Sequence, residues 1–212
     1  MTGEEERARD AFAATYHVSR ETLAALERYR LLLLKWANHI NLIGPSTKDR
    51  FWQRHILDCA QILPVAGPEI SSLVDFGSGA GLPGLVLAAL LQERRENHQV
   101  TLIEVSAKRC SFLREAARAL NVTINLRQDK IADVIPFEAN LVTARAFAPL
   151  ATLLAYAHPW TQLGARMIFL KGEDVQTEIQ EASTNWRFQT SIRTSVTDPR
   201  GRVVEIFDLR PL

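Results

Sequence analysis

The residues best placed to do chemistry lie between Asp75 and Gly84. Asp75 sits in a short apolar run, Leu73-Val74-Asp75-Phe76, and Gly77, Gly79, Gly81 and Gly84 follow it. Glycine lets a main chain approach a ligand closely and adopt positive φ. Amides left without partners at the start of the next helix then face the crevice. The stretch therefore predicts a nucleotide-type cofactor site, and two cofactor chemistries fit it. Gly79, Gly81 and Gly84 satisfy G-x-G-x-x-G, the dinucleotide fingerprint, with Glu104 at the distance of a ribose acid. Asp75-x-Gly77-x-Gly79-x-Gly81 equally satisfies the acidic-x-G-x-G-x-G pattern of S-adenosylmethionine (SAM) sites. A carboxylate at the strand end can accept from the α-ammonium of SAM. Beside the two phosphates of a dinucleotide it would be repelled. Asp75 thus favours SAM over NAD(P), and the cost of ordering so many glycines disfavours a turn without a ligand.

Other candidates fall at positions where crevice ligands bind in such sheets. Glu104 ends the second strand and can accept from both ribose hydroxyls of an adenosine. Ile131 and Ala132 follow the third strand, where an adenine is read by backbone amides and an apolar side chain. Arg145 follows the fourth strand and can clamp a carboxylate or phosphate with two parallel hydrogen bonds. Lys171 repeats that position after the fifth. Lys108 and Arg109 open a helix, where cations oppose the dipole, which hints at a use. His55 and Asp58, three apart on a helix, can pair.

These residues need elements to hold them. Up to about residue 68 the chain reads helical. Ser19 can cap a helix that carries Leu23, Leu26, Leu33, Ala37 and Ile40 on one face. It breaks near Gly44-Pro45, and a second helix is expected from Ser46 or Thr47 to Leu63, before Pro64. From residue 72, strands are predicted at 72–76, 100–104, 122–126, 139–144 and 165–170. Helices are predicted at 82–93, 107–120, 149–158 and 173–184. This alternation implies a parallel sheet wrapped by helices. The end differs: SIRTSV and RVVEIFDL flank TDPRG, which predicts a hairpin. The expected fold is α/β, Rossmann-like, a mostly parallel seven-stranded sheet closed by an antiparallel hairpin. Residues 1–68 form a helical segment packed on it, and residues 69–212 form the cofactor domain.

Composition is that of an ordinary globular protein, with net charge +1 over 212 residues. No apolar run reaches membrane-spanning length, and the charged N-terminus lacks a signal-peptide core. Cys59 and Cys110 form no metal pattern and read as reduced core thiols, which agrees with a cytoplasmic protein. Between Arg20 and Arg54 stand seven Lys or Arg against three Asp or Glu. Beside Tyr29 and Trp36 this region is a candidate phosphate-tracking surface, although a solvated helix face accounts for its charge more simply.

The segments NLIGPST, FWQRHILDCAQI, VDFGSGAGLPGLVLA, LIEVSAKRCSFL, TARAFAPL and FLKG together resemble the RsmG (GidB) family in order and spacing, from about Leu34 to Gly172. The glycine motif alone indicates only the SAM superfamily; NLIG and RHILD make the family assignment. Cys59 stands where serine is usual, and TARAF replaces the common SRAF. The resemblance implies a class I SAM-dependent methyltransferase that modifies guanine N7 in 16S rRNA, at guanine 527 in the loop near the decoding site. It implies 16S rRNA or the small ribosomal subunit as partner, no metal, no membrane, and a monomer. It aligns Gly77, Leu82, Ile131, Ala132 and Arg145 with SAM-contact positions, and Glu104 with the ribose acid; Asp75 and Gly79 complete the expected cofactor set. Lys48, Arg50, Arg54, His55 and Lys171 are the candidate RNA contacts. A SAM enzyme acting on a small molecule, an NAD(P)-dependent dehydrogenase and a SAM-binding regulator without turnover are the alternatives. The implied chemistry is undemanding: N7 has a free lone pair, so orientation suffices and no general base is required. Methylated guanine is cationic, so Arg145 is expected to face an anion: the SAM carboxylate, a nearby acid or an RNA phosphate.

Overall fold

A computed structural model describes residues 2–94 and 97–212. Its sheet has seven strands in the order β3-β2-β1-β4-β5-β7-β6. They are β1 (Ser72–Phe76), β2 (Gln99–Ile103), β3 (Asn125–Arg127), β4 (Leu141–Arg145), β5 (Arg166–Lys171), β6 (Trp186–Thr194) and β7 (Arg202–Pro211). The neighbours from β3 through β5 are parallel, and β7 runs antiparallel to both β5 and β6. The expected hairpin is therefore present. The strand order reverses between β1 and β4, and the crevice beyond their carboxyl ends is where such sheets bind ligands.

Helices α5 (Gly84–Glu93), α6 (Ala107–Leu120), α7 (Leu150–Thr161) and α8 (Val175–Ala182) connect the strands. α6 begins where Ser106 accepts from the Arg109 amide and ends at Asn121 in the left-handed region. That left-handed exit shortens the third strand. Val122 and Ile124 pack as partly buried lead-in residues, and pairing starts only at Asn125 rather than at 122.

The N-terminal segment has no core of its own. α1 (Gly3–Tyr16) and α2 (Arg20–Trp36) place Phe12, Leu26, Tyr29 and Leu33 in one apolar cluster with Leu85 of α5 and Phe112 of α6. Ser19 caps α2 as expected, accepting from the Thr22 amide, and Glu93 at the end of α5 accepts from the Ser19 amide and hydroxyl. α2 stops at Trp36, so Ile40 lies beyond the helix. Tyr29 and Trp36 do not form a phosphate-tracking surface: Tyr29 is buried and its hydroxyl donates to the Ala80 carbonyl at 2.6 Å, while Trp36 packs on Phe112.

The helix expected from Ser46 or Thr47 to Leu63 is a broken track. A 3-10 turn (Pro45–Arg50) leads into a π-helical turn (Trp52–Leu57), then α3 (Asp58–Ala60) and, after a bend at Gln61, α4 (Ile62–Ala66). Pro64 falls inside α4 because it sits in the first turn, where no intrahelical N–H bond is needed. Glu5 reaches from α1 to accept from the amides of Trp52 and Gln53, which starts the π-helical turn without a local cap.

Candidate active site

Alternation along β1 sends Val74 and Phe76 into the apolar cluster under α7, and Leu73 and Asp75 toward α5. Register sets Asp75 beside Thr143 of β4. The consequence overturns one expectation. Asp75 is fully buried, its Oδ1 accepts from Thr143 Oγ1 at 2.9 Å and its Oδ2 from the Gly84 amide at 3.2 Å. It does not face the crevice to receive an ammonium; it braces the glycine loop against β4 and the start of α5. Burial pushes its carboxyl up to about 7.

Gly77, Gly79 and Leu82 line a cavity of about 240 Å³ with Thr47, His55 and Arg145. Gly77 also lines a second cavity, of about 370 Å³, with Glu104, Ile131, Ala132, Phe147 and Tyr156. The two share Arg109 and Ala146 and form one cleft over the ends of β1, β2 and β4. The structure thus brings together seven of the eight expected cofactor positions and sets Asp75 behind them. Glu104 is buried at the base: Oε2 accepts from the Gly79 amide at 3.0 Å and Oε1 from the Ser106 amide at 2.9 Å. Each oxygen keeps a second lone pair for a hydroxyl donor. The use hinted for Arg109 is visible: it donates to the Asn41 carbonyl at 3.3 Å and lies 3.8 Å from Glu104, tying the segment before Pro45 to the cleft. Lys108 is exposed.

Sequence reasoning missed Phe147. Its ring lies directly over Gly77, where any Cβ would collide with it. Ala146 positions it from a left-handed backbone (φ 50°), a conformation costly for a residue with a Cβ. The signal available was a lone aromatic immediately past a strand end.

Arg145 faces an acid, Asp58, with Nε 3.4 Å from Oδ2. Its Nη2 donates to the Arg54 carbonyl at 3.0 Å and to His55 Nδ1 at 3.1 Å. Guanidinium only donates, so His55 Nδ1 is the bare nitrogen and Nε2–H donates to Thr47 Oγ1 at 3.1 Å. The expected His55–Asp58 pair is not made; Arg145 stands between them and holds both. Burial, then the Arg145 and Arg54 charges, lower the His55 pKa to about 3, and it stays neutral near pH 7. Asp58 Oδ1 accepts from Gln61, Ser195 and Thr197, which joins the helical track to the β6–β7 turn.

The candidate RNA residues divide. His55 is buried. Arg54 is paired with Asp198 at 2.6 Å, and Lys171 with Glu178 at 2.5 Å, so neither is the free cation expected. Lys48 and Arg50 donate to the neutral side chains of Asn38 and Gln53 and, among the described residues, form no ion pair. Cys59 and Cys110 are free and buried, and burial raises the Cys59 thiol to about 12.

His55 and Asp75 make opposite contributions to the pH dependence of stability. His55 is depressed from 6.5 to about 3, so between those values the unfolded chain binds more protons and stability rises with pH. Asp75 is raised from 3.8 to about 7, so between those values the folded chain binds more protons and stability falls with pH. The two slopes offset from pH 3.8 to 6.5. Asp75→Asn can accept from the Gly84 amide through its oxygen and donate its NH2 to Thr143 Oγ1, and it removes one slope. Denaturant unfolding of Asp75→Asn is expected to gain stability with pH across that window more steeply than the parent, by up to about 1.4 kcal/mol per pH unit. Parallel profiles for the two proteins would refute the assignment.

Comparison with known proteins agrees with this architecture. The sequence model of GidB, described as rRNA small subunit methyltransferase G, matches residues 22–203. Ribosomal RNA small subunit methyltransferase G of Rhodospirillum rubrum is 42% identical over 200 residues, which cover 94% of this chain and 97% of that protein. The Caulobacter vibrioides protein of the same name is 44% identical over 181 residues, 85% of this chain and 82% of the relative. Among solved structures, a SAM-dependent methyltransferase from Aquifex aeolicus superposes with a TM-score of 0.55 at 13% identity, over 84% of this chain and 98% of that one. The fold is that of class I SAM-dependent methyltransferases. With the glycine loop, the NLIG segment and the RHILD track all inside the matched span, this chain belongs to the rRNA small subunit methyltransferase G family, GidB.

Proposed function

We propose that the chain transfers the methyl group of SAM to N7 of a guanine in 16S rRNA, guanine 527 by family resemblance. The cleft residues fit SAM. Glu104 offers two carboxylate oxygens at the base of a cavity of about 370 Å³ walled by Ile131 and Ala132, which suits an adenosine. A Cβ at Gly79 would meet nothing nearer than the Gly77 carbonyl at 3.7 Å, so the loop leaves open room on the cleft side. SAM, when bound, supplies an electrophilic methyl on a sulfonium.

The observation that carries the choice of N7 is the state of His55. It is the imidazole of this cleft, and both its nitrogens are engaged, one by Arg145 and one by Thr47. With its pKa at about 3 it is a poor proton acceptor at neutral pH. Guanine N7 loses no proton on methylation, so a locked, neutral histidine is no handicap. Methylation of an exocyclic amine or a ring carbon would require a proton to leave. Arg145 is turned to Asp58, which keeps its charge away from a base that becomes cationic. Lys48 and Arg50 retain charge for RNA phosphate.

The test is base-resolved. Small subunits from a strain lacking this gene, incubated with the protein and SAM, are expected to acquire one modified guanine cleaved by borohydride and then aniline, the chemistry of N7-methylguanine. Methyl incorporation without that cleavage would overturn the N7 assignment.

A further inference from the structure

A third cavity opens beside the cofactor cleft and shares Arg145 and Ala146 with it. It measures about 460 Å³, within the range of sites that hold small ligands. It lies over the ends of β4 and β5 and the start of β7, and Asp198, Arg200 and Gly201 of the β6–β7 turn, with Arg202, wall one side of it.

We infer that this cavity seats the RNA backbone beside the target nucleotide, with Arg200 of the β6–β7 turn and Arg202 at the start of β7 as its phosphate contacts. Four observations carry this. β5 pairs with β7 so that Lys171 stands opposite Arg202, and like charges directly opposite across a ladder destabilise it. Lys171 is answered by Glu178 at 2.5 Å. Arg202 is not answered: Nη1 donates to the carbonyls of Pro199 and Gly201, and among the described residues it forms no ion pair. Its charge is thus open to an anion. Second, Asp198 holds two arginines at once, Arg54 at 2.6 Å and Arg200 at 3.5 Å, so one carboxylate organises two cations and leaves an excess of positive charge. Third, the turn is fixed. Asp198 Oδ1 accepts from the Arg200 amide, the Gly201 amide donates to the Asp198 carbonyl, and Gln61 and Asp58 hold Ser195 and Thr197. A phosphate seat on such a turn costs little ordering on binding. Fourth, Arg145 and Ala146 wall both this cavity and the cleft, so a nucleotide held here is next to the cofactor.

The inference rests on the reading of an rRNA substrate, and its test separates the two. Three proteins are compared: the parent, Arg200→Glu, and the double variant Arg200→Ala/Arg202→Ala. Arg200 is 69% exposed, so its replacement leaves the fold intact even where loss of Arg202 loosens the turn. Methyl transfer to small subunits lacking the modification is measured over a salt series, with S-adenosylhomocysteine binding by calorimetry as the control. Both variants are expected to bind S-adenosylhomocysteine like the parent and to show KM for the subunit raised about tenfold or more, with kcat within about twofold. The double variant is expected to lose about 1.4 from the slope of log affinity against log salt, the value for two single-strand phosphate contacts. Arg200→Lys/Arg202→Lys is expected to restore the slope. An active parent matched by both variants in KM and salt slope overturns this inference and leaves the rRNA reading standing. A parent without transfer to rRNA overturns that reading, and this inference with it.

Discussion

Gly79→Val is expected to reduce affinity for SAM and S-adenosylhomocysteine by more than about a hundredfold while the protein remains folded. Gly79 has φ +55°, which a β-branched residue adopts only at a cost of about 1–3 kcal/mol. That is tolerable in a domain of ordinary stability. The added side chain meets no protein atom nearer than 3.7 Å, so it projects into the cavity of about 240 Å³ that Gly79 lines. It also disturbs the amide that donates to Glu104. Gly84→Val is the informative contrast. A Cβ there collides with Leu102 and lies 2.9 Å from Asp75 Oδ2, inside the buried brace of the loop. That variant is expected to unfold, because neither neighbour can retreat from a packed core. Thermal unfolding and calorimetry distinguish the two. Undiminished cofactor affinity in folded Gly79→Val would move the cofactor away from this loop.

Arg145→Ala is expected to cost about 3 kcal/mol of stability and roughly a hundredfold in activity. The side chain is largely buried and ties Asp58, His55 and the Arg54 carbonyl together. Removing it leaves the largely buried Asp58 carboxylate without its cation, though Gln61, Ser195 and Thr197 still donate to it. It also frees His55 Nδ1 and removes the charge beside it. The His55 pKa is then expected to climb from about 3 toward its ordinary value of 6.5, which an imidazole NMR titration reads directly. Arg145→Lys is expected to restore less than half of the stability, because one ammonium cannot serve acceptors arranged around a planar fork. An alanine variant within about 0.5 kcal/mol of the parent, with an unmoved His55 titration, would show that the knot is incidental.

The sequence by itself determined the strand–helix alternation, the reversal to an antiparallel hairpin and the gathering of the glycine loop, Glu104 and Ile131 at one cleft over the strand ends. Those features are written locally. Apolar runs of strand length, glycines with their backbone freedom and capping residues such as Ser19 and Ser106 act within a few positions of themselves. The broken track from Pro45 to Ala66 was not legible, because its π-helical turn is started by Glu5, forty-seven residues before Trp52. The same limit governed the charged residues. Asp75, Arg54, His55 and Lys171 each read as a group facing a ligand, and Arg145 as facing the SAM carboxylate, a nearby acid or an RNA phosphate. Tertiary structure gave them Thr143, Asp198, Thr47, Asp58 and Glu178 as partners, and buried Asp75 and His55 outright. Which charges are spent inside the fold depends on register and on distant chain segments meeting, and neither is encoded in the spacing of one motif. Arg202, by contrast, read as the first residue of the hairpin's second strand, and only the β5–β7 pairing set it opposite Lys171, with no ion pair to an acid among the described residues.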